Sequence, residues 1–313
     1  MFEKINIYYL AHWDDLPLDK QFHFASRMWL WSQDPVMATK LAAAREWFCG
    51  DGSNEGIQKV LQEILDAQTP TFGSKNAAAE RAPYFAKYPL VRQLLPLLFR
   101  LLFMETIYGI DGREQLGKVV DLSGVPALIE ALMADDRAIA ILSTHAANFL
   151  YLWHRFYLRD ENGFSLEKLL QVGQTAYDLS NKTELQLFIY LYTHCIIGES
   201  LFYKRSLPAS NLPIYKKMAT GLDRVVAEHY DGINLDNKYE TLVCQLICEH
   251  PLTLLEKIDQ EAAQSVSTEG DYLVDRHNGN PQTDNVSLDK SEHRNVLSLL
   301  AHQPFRPTDQ VLG

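Results

Sequence analysis

Apolar residues recur along this chain at intervals of three and four, the spacing that places side chains on one face of an α-helix. No Asn-Gly or Asp-Gly pair lies between alternating apolar and polar residues, so β-hairpin signals are almost absent. The pattern therefore predicts an all-α protein. The predicted helices cover residues 19–32, 35–48, 54–67, 75–87, 90–108, 111–119, 124–134, 136–158, 164–178, 182–203, 212–230, 237–250, 252–267 and 288–302.

The most hydrophobic stretch, residues 89–109, predicts a buried helix rather than a membrane span. It contains Arg92, Pro96 and Arg100, whereas a spanning helix needs about 20 consecutive apolar residues. The proline either kinks this helix or starts it. The first residues of the chain lack the basic and apolar regions of a secretion signal, so we expect a cytoplasmic protein.

Short linkers connect most of the predicted helices, which favours antiparallel neighbours. The exceptions are residues 68–74 and 268–287, and the second is long enough to be a functional loop. Asp275 and His277 in this loop are candidate ligand-binding residues. No change in composition and no Pro-, Gly- or Ser-rich linker divides the chain, so we predict a single domain over residues 1–313.

A recurring segment indicates that the helices are organised as repeated hairpins. Three copies align as NKTELQLFIYLYTH, NKYETLVCQLICEH and DKSEHRNVLSLLAH, and they follow one another at intervals of roughly 53 residues. Such a period suits a hairpin of two long helices, and about six hairpins would account for the chain. The repeat is clearest over residues 124–302.

Each copy has the start signal of a helix and a single apolar face. A glutamate lies three residues after Asn181, Asn237 and Asp289, which is the spacing of a capping box. The positions four, seven and eight residues after that glutamate share one helical face and are apolar in every copy, so we expect them to be buried. They are Phe188, Leu191, Tyr192, Cys244, Ile247, Cys248, Val296, Leu299 and Leu300.

The glutamates and histidines of the repeat are the candidate catalytic residues. Within one copy they are about 15 Å apart along the helix, so a catalytic pair would need residues from different copies. Glu184, Glu240 and Glu292 either start helices or supply carboxylates for acid/base chemistry, and of these Glu184 and Glu240 are the candidate catalytic residues. His194 is a candidate because its helix is predicted to continue beyond it. His293 is a candidate because it follows Glu292 at a position where the other copies have no histidine.

Composition and charge exclude several classes of partner. The chain is 47% apolar and carries a net charge of −11, which argues against nucleic acid or an anionic membrane as the main partner. Four scattered cysteines predict buried thiols in a reducing compartment rather than disulfides, and we predict no metal site. Phosphate-binding, dinucleotide-binding and zinc-protease motifs are absent, so the sequence leaves the cofactor unknown.

Three features resemble those of the α/α-toroid proteins. They are the [N/D]-K-x-E helix starts, the hairpin period, and the Thr-His pairs at 144–145 and 193–194. This class includes lanthionine cyclases, sugar epimerases, some glycosidases and terpenoid cyclases, and several uncharacterised bacterial helical families. The resemblance implies an α/α toroid or solenoid, and the first Thr-His pair makes His145 a further candidate ligand-binding residue. The zinc signature of the lanthionine cyclases and the DxDD motif of the terpenoid cyclases are not matched here.

Two functions from different classes remain open. The first is a biosynthetic enzyme that encloses a small molecule or peptide and acts on it by His and Glu acid/base chemistry, as a cyclase, lyase or isomerase. The second is a non-catalytic helical-repeat protein that binds a protein or peptide partner along a groove. Either function is compatible with a homodimer.

Overall fold

The computed structural model describes residues 1–67, 75–267, 269–274 and 287–312, and these residues form an all-α protein as predicted. Sixteen α-helices are present in them. The first eight are α1 (Phe2–Ala11), α2 (Leu18–Ser32), α3 (Pro35–Cys49), α4 (Asn54–Asp66), α5 (Lys75–Lys87), α6 (Pro89–Tyr108), α7 (Arg113–Val119) and α8 (Val125–Met133). The others are α9 (Asp136–Leu142), α10 (Thr144–Tyr151), α11 (Leu166–Thr175), α12 (Lys182–Glu199), α13 (Leu212–Glu228), α14 (Leu235–Ile247), α15 (Leu255–Ala263) and α16 (Leu288–Ala301).

The long helix predicted over residues 136–158 is divided in the structure. Ser143 interrupts it with φ 48° and ψ −107°, a backbone conformation that ends α9 and starts α10. The hydroxyl of Ser143 donates a hydrogen bond to the backbone oxygen of Leu187, 2.6 Å away, which ties the break to α12. Beyond α10 the chain continues as a π-helix over Leu152–Leu158. Periodicity missed this division because residues 138–142 are apolar and buried and the apolar pattern resumes at Ala146 and Ala147, only three residues beyond Ser143.

One compact unit comprises Met1–Leu41 and Tyr203–Thr308. In this unit α16 packs against α1, α2 and α14, while α14 also packs against α13 and α15. The hydroxyl of Tyr9 donates to the backbone oxygen of Leu288 at 3.1 Å, and the indole of Trp31 donates to that of Gln303 at 3.0 Å. The N-terminal helices are therefore attached to both ends of α16.

The second compact unit comprises Ala42–Phe202 and Asp309–Gly313. Its α10 packs against α6, α9 and α12, and α4 packs against α6 and α7. Helix α6 begins at Pro89, contains Pro96 in its interior and is largely buried, as the sequence predicts for this apolar stretch. None of the described helices combines the length and apolar character needed to cross a bilayer. The single domain over residues 1–313 stays a prediction.

The aligned helices α12, α14 and α16 confirm the predicted buried stripe, because all nine of its side chains are buried. Only in the first copy does the predicted cap residue act, because the side chain of Asn181 accepts from the backbone N–H groups of Thr183 and Glu184. Glu184 itself accepts from the backbone N–H of Asp178 rather than from that of Asn181, so half of the capping box forms. Helix α14 is capped by Asn234 instead of Asn237, and α16 starts after Ser287 without a side-chain cap. The capping-box prediction is therefore wrong for two copies. Their helices start earlier, so Glu240 and Glu292 lie in the second turn.

The position of the α14 cap gives a test. The side chain of Asn234 accepts from the backbone N–H of Asn237 at 2.9 Å, whereas Asn211, at the same position before α13, makes no such bond. We expect Asn234→Ala to lower the free energy of unfolding by about 1 kcal/mol, the usual contribution of an N-cap. The matched change Asn211→Ala should cost less than about half of that. Urea unfolding followed by circular dichroism measures both, and equal losses would contradict the cap assignment.

Candidate acid/base site

Glu292 on α16 is a fully buried carboxylate with a single hydrogen bond among the described residues. Its Oε1 lies 2.7 Å from Nδ1 of His23 on α2, and its side chain has no solvent exposure. Its Oε2 is buried and has no hydrogen-bond partner in the part of the chain that the structure describes. A buried carboxylate oxygen without a partner is costly, so it calls for a functional explanation.

Positive groups surround this carboxylate, and the nearest of them forms a long ion pair with Oε2 rather than a hydrogen bond. The ammonium of Lys20, one helical turn before His23, is 3.9 Å from Oε2. Arg27 and His293 add positive electrostatic potential at Glu292, while Asp19 opposes it. The imidazole of His23 is 24% exposed, so the pair reaches solvent through His23 and not through Glu292.

A second carboxylate lies close by and is fully paired. Asp236 of α14 accepts a hydrogen bond from Nη2 of Arg294 at 2.8 Å, and its other oxygen is 3.5 Å from Nδ1 of His293. The rings of His23 and His293 are 5.5 Å apart between centroids. Two imidazoles, each beside its own carboxylate, are thus brought together from α2, α14 and α16.

The two carboxylates have pKa values pushed in opposite directions. Burial raises the pKa of Glu292 to about 7, and its positive neighbours only partly offset this effect. Burial acts the same way on Asp236, but Arg294 and His293 outweigh it and hold the pKa at about 2. Carboxyl groups separated in this way are the arrangement that acid/base enzymes use to give two carboxylates different roles.

The pKa of His23 is lowered well below its usual value by burial and by the positive groups Arg27, His293 and Lys20. His23 is therefore neutral near pH 7. A single hydrogen lies between its Nδ1 and Oε1 of Glu292, and the two groups titrate as a pair. When Glu292 is ionised, Nδ1 of His23 donates to it and Nε2 is an acceptor. When Glu292 is protonated, its hydroxyl donates to Nδ1 and Nε2 carries the hydrogen. Ionisation of Glu292 thus changes Nε2 of His23 from an acid into a base.

Two of the predicted catalytic residues lie in this unit. His293 is part of the cluster and its side chain is 38% exposed. Glu240 of α14 is buried, and its charge acts on Tyr203, whose hydroxyl is hydrogen-bonded to Arg27. His293 and Glu240 are therefore both close to groups that surround the Glu292 carboxylate.

The other predicted residues on described segments lie in the second unit. Nδ1 of His194 donates to Oδ1 of Asn148 at 2.9 Å, which connects α12 to α10. His145, also on α10, is buried, with its ring packed edge-on against Phe85 and 5.0 Å from it between centroids. The structure therefore places both histidines at the interface between neighbouring helices, with Asn148 beside His194.

Glu184 is occupied by structural contacts. It accepts a hydrogen bond from Nη2 of Arg137 at 2.8 Å and another from the backbone N–H of Asp178 at 2.7 Å. These two hydrogen bonds lower its pKa despite partial burial. Because such a carboxylate binds a proton weakly, its contacts favour the helix-start interpretation over the catalytic one.

Asp275 and His277, the predicted loop residues, lie outside the described residues. Within the described segments no group of three or more His, Cys, Asp or Glu side chains is arranged to hold a metal ion. All four cysteines are buried, and none of them forms a disulfide. Burial raises the pKa of Cys49 to about 11 and of Cys248 to about 12, so these thiols are protonated and unreactive near neutral pH.

Sequence reasoning missed His23, Lys20 and Asp236. It considered Glu292 as either a helix start or an acid/base carboxylate, but did not select it among the catalytic residues. The available signal was the pair Lys20 and His23 on one side of a helix that is otherwise rich in buried aromatic residues. No local pattern could indicate that this side meets Glu292, which is 269 positions away in the sequence.

Comparison with known proteins adds no assignment. No protein-family model, curated protein or solved structure matches the chain.

The burial of Glu292 predicts a specific pH dependence of stability. The raised pKa means that ionisation costs folding free energy as the pH rises from the unfolded value of 4.5 to about 7, and the cost stays constant above that. Glu292→Gln removes this cost. The stability of the variant relative to wild type should therefore rise by about 2 to 3 kcal/mol between about pH 5 and about pH 8.

Glu184→Gln is the matched control for this measurement. The pKa of Glu184 is lowered, so its contribution is present throughout this pH range and is lost only at lower pH. Urea unfolding of the three proteins across the range gives the comparison. A difference between Glu292→Gln and wild type that does not change with pH would show that Glu292 is not held protonated by burial.

Proposed function

We propose that the protein is an enzyme that moves a proton to or from a small organic substrate, as a cyclase, lyase or isomerase does, with His23 and Glu292 as the acid/base pair. The observation that carries the proposal is the 2.7 Å contact between Nδ1 of His23 and Oε1 of a fully buried Glu292. Oε2 of this carboxylate has no hydrogen-bond partner among the described residues.

Proton balance supports this pair as a relay. In the base form, Nε2 of His23 takes a proton from the substrate while the hydrogen on Nδ1 passes to the ionised Glu292. The result is a neutral carboxylic acid and a neutral imidazole that now carries its hydrogen on Nε2. The reverse sequence returns the proton to another atom of the substrate. The relay thus avoids an imidazolium ion beside Arg27 and Lys20, which would be repelled by both.

The surrounding residues support a division of roles. His23 is the exposed member of the pair and would be the catalytic residue that meets the substrate. His293, with its ring 5.5 Å from that of His23, is placed to contact the same substrate, and Asp236 would position it. Glu240 is a further carboxylate of this unit. The catalytic roles predicted for His194 and Glu184, and ligand binding by His145, stay predictions.

The finer interpretation of the fold is also a proposal. Packing of α1 and α2 against α16 joins the N-terminal helices to the last helix, as closure of an α/α toroid requires. The neighbouring pairs α10 with α12 and α14 with α16 are compatible with hairpins that repeat at roughly 53 residues. The cytoplasmic location, the small-molecule or peptide ligand and the homodimer stay predictions.

A test of the relay can be made without a known substrate. Nitrogen-15 shifts of the His23 ring report which nitrogen carries the hydrogen. We expect the hydrogen on Nε2 below about pH 7 and on Nδ1 above it, following the ionisation of Glu292. In Glu292→Gln this change of tautomer should be absent. A wild-type ring that keeps one tautomer from about pH 5 to about pH 9 would contradict the mechanism.

Catalysis itself is tested with metabolites of the host. The purified protein is incubated in D₂O with a small-molecule extract, and mass spectrometry detects new products or compounds that have gained deuterium. We expect such products with wild type and a loss of about 100-fold or more in His23→Gln. His12→Gln is the matched control, because His12 forms an exposed pair with Asp15 at 2.9 Å in the same unit. Equal products from His23→Gln and wild type would exclude His23 as the acid/base residue.

A further inference from the structure

A groove in the second unit lies apart from the residues discussed so far. Its volume is about 760 Å³, within the range of small-molecule sites. The groove is formed by α8, the π-helix Leu152–Leu158, the loop that follows it, and α11. Its apolar side chains come from the first three of these elements and are Pro126, Ile129, Met133, Trp153, Leu158 and Phe164.

His154 is the polar group buried in this lining. It is only 7% exposed, and neither ring nitrogen has a hydrogen-bond partner among the described residues. The carboxylate of Asp160 is 3.7 Å from Nδ1, which is beyond hydrogen-bond distance. Burial lowers the pKa of His154, so near neutral pH the ring offers one donor and one acceptor. A buried imidazole with both nitrogens unsatisfied favours the binding of a group that can complete its hydrogen bonds.

The π-helix places His154 in the groove, and buried contacts hold it there. π-Helical turns are rare and frequently occur at functional sites. The guanidinium of Arg155 forms an ion pair with Glu199 at 3.1 Å, and neither side chain is exposed. Arg155 also donates to the backbone oxygen of Asp160 at 2.8 Å and stacks over Phe164 at 4.6 Å from the ring centre. One buried residue thus anchors both the π-helix and the loop that faces it.

Gly163 in that loop is needed for the position of the imidazole. A Cβ at residue 163 would lie 1.8 Å from Nδ1 of His154, so any larger residue would displace the ring. The backbone of Gly163 is not in the left-handed region, and close approach to His154 is therefore the reason for glycine here.

The charges around the groove disfavour an anionic ligand. Lys168 is the single lysine or arginine among the lining residues, and it is already paired with Asp136. Glu130 and Glu167 add two carboxylates to the lining. A phosphate or carboxylate ligand would meet these two negative charges without an uncommitted cation in the lining.

We propose that this groove binds a neutral organic molecule with an aromatic or other apolar ring, whose hydroxyl or carbonyl group hydrogen-bonds to the imidazole of His154. The apolar side chains contact the ring system, and His154 selects for the polar group. The inference is independent of the acid/base pair, because all lining residues belong to the second unit.

A set of matched probes tests the proposal on the full-length protein. The probes are 2-naphthol, 2-methylnaphthalene, which replaces the hydroxyl by a methyl group of similar size, and 2-naphthoate, which carries a negative charge. Equilibrium dialysis measures each dissociation constant. We expect saturable 1:1 binding of 2-naphthol, binding of 2-methylnaphthalene about fivefold or more weaker, and binding of 2-naphthoate at least about tenfold weaker.

Binding measurements on four variants show whether the probes occupy this groove. His154→Phe should bind both neutral probes equally, because the hydrogen bond is lost while the apolar surface remains. Gly163→Ala provides the same test through displacement of the ring, from a surface loop where the change is expected to preserve folding. Met133→Glu puts a charge in the groove at a partly exposed position and should weaken both neutral probes about tenfold or more. His229→Phe, in the other unit, should behave as wild type.

The proposal is overturned if wild type shows no saturable binding of either neutral probe. It is also overturned if folded His154→Phe or Gly163→Ala retains the preference for 2-naphthol. Unchanged binding in Met133→Glu would place the probe elsewhere on the protein and has the same consequence. Circular dichroism of each variant establishes that the fold is intact.

Discussion

The burial of the Glu292 carboxylate is the constraint on which the proposed site of the first unit depends. An isolated ionised carboxylate in a protein interior is so costly that it either acquires partners or takes up a proton. Here both solutions are used in part, since His23 contacts one oxygen, positive groups lie nearby, and burial still raises the pKa to about 7. The packing of α16 against α1, α2 and α14 maintains this balance, because these helices exclude the water that would otherwise solvate Glu292.

The repeat places the same residue types in different environments. Glu184 lies in the first turn of its helix, paired with Arg137, whereas Glu240 and Glu292 lie in second turns and are buried. The helix start lies a few residues earlier in α16 than in α12. Glu292 is therefore buried beside His23, whereas Glu184 at the start of α12 makes structural contacts. Sequence similarity between the copies describes their common buried stripe and carries no information about this difference.

The two proposed sites use a neutral imidazole in different ways. His23 is neutral beside a carboxylate, so its protonation is coupled to a second titrating group and suits acid/base chemistry. His154 is neutral without any hydrogen-bond partner among the described residues, so it is available to a ligand and suits recognition. In both cases burial lowers the pKa, and the contacts around each ring decide which chemistry follows.

The sequence by itself determined the all-α class, most helix positions and the buried stripe of the aligned helices, because these depend on the local periodicity of apolar residues. It missed the break at Ser143, because the apolar pattern before this residue resumes at Ala146 although the backbone turns in between. It also placed the start of α14 at Asn237, since two asparagines compete as caps within four residues and only packing selects between them. Tertiary structure alone decided the proposed acid/base pair and the groove. His23 meets Glu292, and Arg155 meets Glu199, through contacts between helices far apart in the sequence, and burial, which sets the pKa values, is a property of the assembled helices rather than of any one segment.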